Sequence, residues 1–296
     1  MSKSVKGELV AKGIRAEVFK NVLSIAQKVI GDELILNASS SGILIRQMDS
    51  SHVLLINIEL PAALFDEYTC PKDFIFSIEL DKLLKLIGRP DKTDNLSLET
   101  AEDSPVNISI EGQTKANFKI HQLMLEDKAK GSMPLPTIKF NAKIELDPTL
   151  LNKLLDKLLV VSDRFSLTVK GDIVTLSNEG DVGNAVFELS TLGGSLLSLD
   201  AQEDIESLYS IEYITNLLSQ LNTDKIKLEY NTKMPLKVTA DYSGITIIFW
   251  LAPYIIYDDS AKKSKKEKTK DEDKSTESEP TEEKEVKSKQ DKKPTQ

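Results

Sequence analysis

Apolar positions along residues 1–257 follow two periods, and their alternation predicts one supersecondary unit repeated four times. Segments with Val, Ile or Phe at every second position predict strands, and segments with apolar residues at i, i+3 and i+4 predict helices. Each unit consists of a strand, a short helix and three further strands. The predicted helices span 15–30, 80–88, 148–161 and 210–221. The predicted strands span 7–12, 34–38, 43–48 and 53–60; 74–79, 95–100, 106–111 and 116–121; 140–146, 165–170, 173–177 and 184–190; and 205–209, 225–230, 236–240 and 245–251.

Two such units make a domain of ordinary size, so the sequence predicts two similar domains at 1–122 and 140–257. Residues 123–139 lie between them and contain Met133-Pro134-Leu135-Pro136, whose prolines favour an extended connector. The remaining residues, 258–296, hold 12 Lys and 12 Asp or Glu but only two apolar residues. We expect a disordered charged tail there, because it cannot bury enough apolar surface to offset its ordering entropy. Its Lys262–Lys270 segment is either simply solvated, a nuclear import signal or a loose DNA contact.

Composition argues against several functional classes. The single cysteine, Cys70, leaves no intrachain disulfide, and with two histidines a Cys/His zinc site is not expected. No apolar segment approaches the roughly 20 residues that cross a bilayer, and no secretory signal is visible, so we expect a soluble intracellular protein without a membrane partner. Cys70 with His52 or His121 could form a nucleophile and base. However, Cys70 precedes Pro71 at a strand end and no phosphate-binding loop or GxSxG motif is present, so we expect no enzyme, cofactor or metal.

The charge of the chain is unevenly distributed. The net charge of −9 argues, taken alone, against a nucleic-acid partner. The predicted helices, however, carry eight basic and four acidic residues when Arg15 and Arg89 are included. A shared basic helix surface would attract phosphates without reading the base sequence, although solvated helix faces also carry lysines in most proteins. The fourth helix has no basic residue, which weakens the DNA interpretation. The predicted DNA-facing residues are Lys20, Lys28, Lys82, Lys85, Arg89, Lys153 and Lys157.

Four segments resemble one known family. Residues Ser39–Val53 read SSSGILIRQMDSSHV, and the MDSSHV end closely resembles the proliferating cell nuclear antigen family of archaeal and eukaryotic sliding clamps. Leu60–Cys70, Tyr209–Asn216 and Leu251-Ala252-Pro253 are similar to the same family, in order. The resemblance implies the α+β DNA clamp fold, with two similar domains of two βαβββ units each, helices on the inner face and antiparallel sheets outside. It also implies a trimeric ring that encircles duplex DNA and acts as a processivity factor for DNA polymerase and other replication and repair enzymes.

The resemblance further implies where partners and neighbouring subunits bind, with ordinary core packing as the alternative for each residue. Of the basic positions that face DNA in the family, Lys20, Lys85 and Lys153 match well. Two edge strands, 106–111 and 184–190, would pair neighbouring subunits. The implied partner-peptide pocket consists of Met48, His52, Val53, Met133, Leu135, Pro235, Trp250, Leu251, Ala252 and Pro253, with Pro136 as a further candidate. The implied subunit interface includes Val106, Ile108, Ile110, Asn184, Val186 and Glu188.

The implied partners are double-stranded DNA, two further clamp subunits, and enzymes that dock through short hydrophobic peptides. These enzymes would include DNA polymerase, clamp loader, ligase and flap nuclease. Asp156, Val160 and residues 219–220 occupy positions that are often basic in the family, so a heterotrimer with more basic sister subunits remains open beside a homotrimer. A checkpoint-type clamp or a partner scaffold with weak DNA contact is the alternative function. The expected location is the cytoplasm at the nucleoid in an archaeon, or the nucleus in a eukaryote.

Overall fold

The computed structural model describes residues 7–125 and 133–255. The predicted tail and residues 126–132 of the predicted connector lie outside these ranges. The described helices are α1 (Ala16–Ile30), α2 (Leu80–Ile87), α3 (Pro148–Leu159) and α4 (Ile211–Leu218). The strands of the first half are β1 (Glu8–Arg15), β2 (Glu33–Ser39), β3 (Gly42–Met48), β4 (Leu54–Pro61), β5 (Glu67–Thr69), β6 (Phe74–Glu79), β7 (Asn95–Ala101), β8 (Val106–Glu111) and β9 (Lys115–Ile120). Those of the second half are β10 (Ala142–Leu146), β11 (Arg164–Lys170), β12 (Ile173–Gly180), β13 (Gly183–Leu189), β14 (Ser198–Ala201), β15 (Ile205–Ser210), β16 (Ile226–Tyr230), β17 (Leu236–Tyr242) and β18 (Ile245–Leu251).

Each half repeats the predicted strand–helix–three-strand unit twice and adds one short strand that the sequence did not predict. These extra strands, β5 and β14, are 3 and 4 residues long. They occupy equivalent places, because β5 pairs with β1 and β14 pairs with β10. A short 3-10 turn, Ala62–Leu64, also precedes β5. Segments this short do not contain enough alternating positions for a period of two to be recognised.

The strands form three antiparallel sheets. Their orders are β5-β1-β7-β8-β9, β14-β10-β16-β17-β18-β4-β3-β2-β6 and β13-β12-β11-β15. The nine-stranded sheet contains strands of both halves, because β18 pairs with β4 along its length. The two halves are therefore joined by backbone hydrogen bonds as well as by the chain between them.

The helices form where an apolar stripe is bounded by residues that suit helix ends. In α1 the stripe buries Phe19, Val22 and Ala26. The carboxylate of Asp147 caps α3 by accepting a 2.7 Å hydrogen bond from the Thr149 N–H. Gly88 follows α2 with a φ of +60°, a conformation that favours glycine and ends the helix.

Candidate DNA-facing and partner-binding surfaces

The four helices lie side by side in one row, with contacts in the order α2, α1, α4, α3. Their buried sides share one continuous apolar core with one face of the strands. The polar sides of α1–α4 therefore form a single surface directed away from the sheets, which we call the helix face. This arrangement brings together side chains from four segments that are far apart in the sequence.

The predicted DNA-facing residues all lie on or beside the helix face. Lys20 is half-buried, and its ammonium donates to the Gly88 carbonyl at the end of α2. Lys82 and Lys85 pair with Glu79 and Asp81, both at 2.5 Å. The hydrogen bond to Asp81 raises the pKa of Lys85, which therefore stays charged. Such exposed pairs on one helix contribute little energy, so a phosphate competes with them easily. The exposed predicted residues are Lys28, Lys82, Lys85, Arg89, Lys153 and Lys157.

The basic residues are not evenly spread over the helix face. Three of the helices carry them, but the exposed positions of α4 and the turn after it are Glu212, Asn216, Ser219 and Gln220. Because α4 lies between α1 and α3, a strip of uncharged and acidic side chains separates the basic side chains of α1 and α2 from those of α3. Hydroxyl and amide groups on this strip can still donate hydrogen bonds to phosphate oxygens.

The opposite face of the nine-stranded sheet carries a second apolar cluster, which we call the outer cluster. Leu55, Phe140 and Trp250 are buried there, and the Phe140 and Trp250 ring centroids are 5.8 Å apart. Met48, Leu55 and Trp250 form one cross-strand row, since Leu55 pairs with both of the others. The half-buried residues around the cluster are Met48, Leu135, Ile138 and Ile248.

An arginine fastens the described part of the connector to the outer face. The Arg46 Nε donates to the Asn57 side-chain oxygen at 2.7 Å, and Asn57 is fully buried. The Nη1 of the same arginine donates to the Met133 carbonyl at 2.9 Å. Leu135 and Ile138 then lie against the outer cluster. The connector thus contributes apolar side chains to the cluster from above the sheet.

A charged row borders the outer cluster beside Trp250. The Lys237 ammonium lies 5.7 Å from the Trp250 ring centroid and 2.9 Å from a carboxylate oxygen of Glu229. Lys227 contacts the other oxygen at 3.0 Å. Burial raises the pKa of Glu229, but the hydrogen bonds from the two lysines outweigh it and lower the pKa overall. Glu229 therefore stays ionised and orients Lys237 over the indole face, where a cation is attracted.

The structure brings together only some of the predicted pocket residues. Met48, Leu135 and Trp250 share the outer cluster, and Met133 is anchored next to it by its carbonyl. Leu251 does not belong with them. It is 1% exposed in the core beneath the helices, because adjacent residues of a strand point to opposite faces.

The remaining predicted pocket residues lie at the ends of strands. Val53 is half-buried and packs against the core beneath the helices, and His52 is exposed in the turn before it. The Ala252 N–H donates to the Val53 carbonyl at 2.9 Å, which fastens the chain after β18 to this turn. Pro235 and Pro253 are half-buried before β17 and after β18.

Asp49 is a residue of this region that sequence reasoning missed. Its buried carboxylate accepts hydrogen bonds from the Val53 and Leu54 N–H groups at 2.8 and 2.7 Å. Its second oxygen accepts from the Tyr213 hydroxyl of α4 at 3.4 Å. The MDSSHV segment is therefore a turn held by its own aspartate, in which His52 has a φ of +56°. An aspartate that starts a Ser-rich turn is a recognisable signal for this role.

We expect Asp49→Ala to lower the free energy of unfolding by about 3 kcal/mol, because it leaves buried N–H groups without their charged acceptor. Chemical denaturation measures this. The matched control is Ser50→Ala, one exposed position further on in the same turn, which should change stability by less than about 0.5 kcal/mol. Equal denaturation midpoints for Asp49→Ala and the parent chain would show that the carboxylate does not hold the turn.

The prediction that residues 106–111 form an edge strand is wrong. β8 is flanked by β7 and β9, so its backbone groups are paired within the chain, and Val106 and Ile108 are buried. Ile110 is half-buried against the same core. The edge strands of this sheet are β5 and β9. The order of strands in a sheet depends on contacts between distant segments, which the alternating pattern of one strand does not report.

The other predicted edge strand does lie at a sheet edge. β13 ends the four-stranded sheet, and its outward positions Asn184, Val186 and Glu188 are exposed. Val186 is 55% exposed on this edge strand, although its side chain is apolar. Apolar side chains at an unpaired edge favour association with another chain.

The described residues give little support to the alternative considered for this chain, a Cys70 nucleophile with a histidine base. Cys70 is buried, and burial, followed by the nearby Asp73 carboxylate, raises the pKa of its thiol, which disfavours the nucleophilic thiolate. Within 7–125 and 133–255, no group of three or more His, Cys, Asp or Glu side chains is placed to hold a metal ion. None of the described helices is long and apolar enough to cross a membrane.

A row of four helices backed by antiparallel sheets in two similar halves defines the DNA clamp fold, as predicted. The solved structure of PCNA from Thermococcus kodakaraensis superposes with a TM-score of 0.76 at 20% identity, covering 83% of this chain and all of that one. The PCNA2–PCNA3 complex from Sulfolobus tokodaii gives a TM-score of 0.72 at 26% identity, covering 82% of this chain and 98% of its own.

Sequence comparison identifies the family. Residues 9–129 match the family model described as "Proliferating cell nuclear antigen, N-terminal domain". The "DNA polymerase sliding clamp" of Cenarchaeum symbiosum is 30% identical over 248 residues, which is 83% of this chain and 98% of the relative. The "DNA polymerase sliding clamp" of Nitrosopumilus maritimus is 29% identical over 248 residues, again 83% of this chain and 98% of the relative. The chain belongs to the proliferating cell nuclear antigen family of DNA polymerase sliding clamps, and the predicted resemblance is confirmed.

Proposed function

We propose that this chain is one subunit of a closed trimeric ring that encircles duplex DNA and tethers DNA polymerase as a processivity factor. The observation that carries the proposal is the single row of helices, basic on α1, α2 and α3, that covers one side of the sheets. Phosphate contacts from such a surface are independent of base sequence, as sliding requires.

The proposal accommodates a protein with a net charge of −9. A closed ring is held on DNA by its topology, so the lysines need only weak contacts with phosphates. Outside the helices, acidic residues outnumber basic ones among the described residues. This excess of negative charge repels DNA from the other surfaces. The acidic charge thus favours the helix face as the place where DNA lies.

The outer cluster is the proposed docking site for partner enzymes. It offers the flexible Met48 side chain, two aromatic rings and the anchored connector, a combination that adapts to varied apolar plugs. A short peptide with such a plug would cover the half-buried part of the cluster. DNA polymerase, clamp loader, ligase and flap nuclease are the proposed partners. The proposed role is tethering rather than catalysis. A protein in this role would be located with the cell's DNA, at the nucleoid or in the nucleus.

Primer extension with the polymerase and clamp loader of the same source tests this function. On a singly primed circular template, the chain should lengthen the products several-fold. On a linear template the gain should disappear, because a ring slides off a free end, and blocking both ends should restore it. An equal gain on circular and open linear templates would contradict encirclement.

A partner scaffold with weak DNA contact, or a checkpoint-type clamp, is the second candidate function. The uncharged to acidic strip on α4 favours it, because this strip lowers the attraction for phosphates. Such a protein would bind plug peptides at the outer cluster but would give no gain in extension on the circular template.

A further inference from the structure

A buried hydrogen-bond donor without an acceptor lies in the outer cluster. Trp250 is 7% exposed, yet its indole Nε1–H meets no acceptor in the described ranges. Burying such a group unpaired costs free energy, because water binds it in the unfolded chain. Most buried side-chain donors in folded proteins do have a partner. An acceptor that arrives with a bound molecule would complete this N–H.

A cation lies beside the same indole. Lys237 pairs with Trp250 across β17 and β18, and its ammonium is 5.7 Å from the ring centroid. In the part of the chain that the structure describes, this ammonium makes one hydrogen bond, 2.9 Å to a carboxylate oxygen of Glu229. A lysine ammonium has three N–H donors, so two remain for a bound molecule. The Lys237 side chain is 24% exposed, so a bound molecule can reach it.

The charged groups beside the indole leave an excess of positive charge. The buried Glu229 carboxylate contacts Lys237 at 2.9 Å and Lys227 at 3.0 Å. Two ammonium groups thus share one carboxylate, and the three groups together carry a charge of +1. Because the carboxylate is buried and Lys237 lies against an aromatic ring, salt screens this charge less than that of an exposed lysine. The β17 side of the outer cluster therefore attracts an anion.

The other side of the outer cluster uses its cation differently. Arg46 donates to the Asn57 side-chain oxygen through Nε and to the Met133 carbonyl through Nη1. Its guanidinium is thus engaged with the sheet and the connector. The polar groups that await a ligand, the Trp250 N–H and the Lys237 ammonium, both lie toward β17.

We propose that the outer cluster selects plug peptides with a glutamate or aspartate beside the plug, whose carboxylate accepts from the Lys237 ammonium and the Trp250 indole N–H. The proposal rests on the docking function proposed above and adds the charge of the partner segment. Neighbouring strands are about 4.8 Å apart, so Lys237 lies about 10 Å from Leu55 across β18. An extended peptide advances about 3.4 Å per residue, which sets the acidic residue within about three residues of the plug.

The indole N–H is shielded in the single chain, so docking must uncover it. Leu135 and Ile138 of the connector are half-buried against the outer cluster, and both lie outside the helices and strands. A plug can shift such side chains without breaking a sheet. Lys237 is already accessible and attracts the carboxylate first, and the indole N–H completes its coordination when the plug has entered.

Paired peptides test the proposal on the full chain. Two labelled synthetic peptides share one apolar plug and differ only in a glutamate or glutamine, placed in turn one, two or three positions from the plug. For at least one of these positions, the parent chain should bind the glutamate peptide about tenfold more tightly, because a hydrogen bond to a charged group is stronger than one to an amide. Anisotropy titrations measure the ratio of the two dissociation constants.

Variants assign this preference to its two donors. Lys237→Met should reduce the preference to less than about twofold, whereas Lys237→Arg keeps the cation and should keep most of it. Trp250→Phe keeps a ring but removes the N–H, and should reduce the preference to about threefold while the glutamine peptide binds nearly as before. Lys143→Met is the matched control. Lys143 lies in the same cross-strand row as Lys237 but two strands away, 3.7 Å from Asp200, so the preference should not change.

Three results would overturn the proposal. The first is equal binding of the two peptides to the parent chain at all three positions, and the second is a preference that survives Lys237→Met. The third is a preference that disappears when the peptide's C-terminus is amidated, which would assign the anion to the chain end. In each case the docking function survives if Trp250→Ala weakens both peptides and the gain on the circular template remains. Failure of the proposed function would instead abolish the binding of both peptides or that gain.

Discussion

Replacing Lys28, Lys153 and Lys157 together by alanine should greatly weaken the binding of the assembled protein to duplex DNA. Within the described residues these three lysines, like Arg89, are exposed and have no ion pair, so their charges are available to phosphates. Each lost phosphate contact should reduce the slope of log affinity against log salt by about 0.9, so the three lysines change it by up to about 3 for each subunit that touches the DNA and by up to about 8 if all three subunits of a trimer do. Fluorescence anisotropy with a labelled duplex across a salt series measures the slope.

The control for this variant removes the same number of charges from other surfaces. Lys72, Lys143 and Lys170 lie in a loop and on sheet strands, outside the helix face. Their joint replacement by alanine should leave the slope nearly unchanged. If both triple variants lose affinity equally, DNA responds to the overall charge of the protein and not to the helix face.

Trp250→Ala should reduce the affinity for a partner peptide with an apolar plug at least thirtyfold. A central buried aromatic residue in a docking site commonly contributes 2 kcal/mol or more, and about 1.4 kcal/mol corresponds to tenfold. Because Trp250 is buried against Phe140 and Leu55, the variant should also lose about 3–5 kcal/mol of stability. Trp250→Phe keeps an apolar ring and should retain most of the affinity.

The neighbouring residue separates lost docking from lost stability. Phe249 is fully buried on the opposite face of the same strand, in the core beneath the helices. Phe249→Ala should cost similar stability but leave peptide affinity close to that of the parent chain. Peptide binding is measured by anisotropy under conditions in which both variants are folded. Equal losses of affinity for the two variants would show that the outer cluster is not the docking site.

The periodic elements of this fold could be read from the sequence with small errors. The second helix was predicted at 80–88 and spans Leu80–Ile87, because its apolar stripe and the following glycine mark both ends. The fourth was predicted at 210–221 but spans Ile211–Leu218. The residues after it have suitable polarity for a helix, but they form turns there.

Features that depend on contacts between distant segments could not be predicted from the sequence in this way. The pattern of β8 is that of a half-buried strand, which is true of an edge and of an interior strand alike, so its interior place was missed. Trp250 and Leu251 are adjacent in a matching motif, yet the strand directs them to opposite faces. The buried carboxylate of Asp49 connects a turn of the first half with α4 of the second, a contact that only the folded chain reveals.

The most direct test of the account asks which surface of the assembled protein touches duplex DNA. A photoreactive side chain is placed at the position of Lys28 or Lys153 on the helix face, or of Lys143 on a sheet strand, and the protein is irradiated with a closed circular duplex after loading. We expect cross-links to DNA from the first two positions and none above background from the third. Cross-links from the position of Lys143, with none from the helix face, would contradict it.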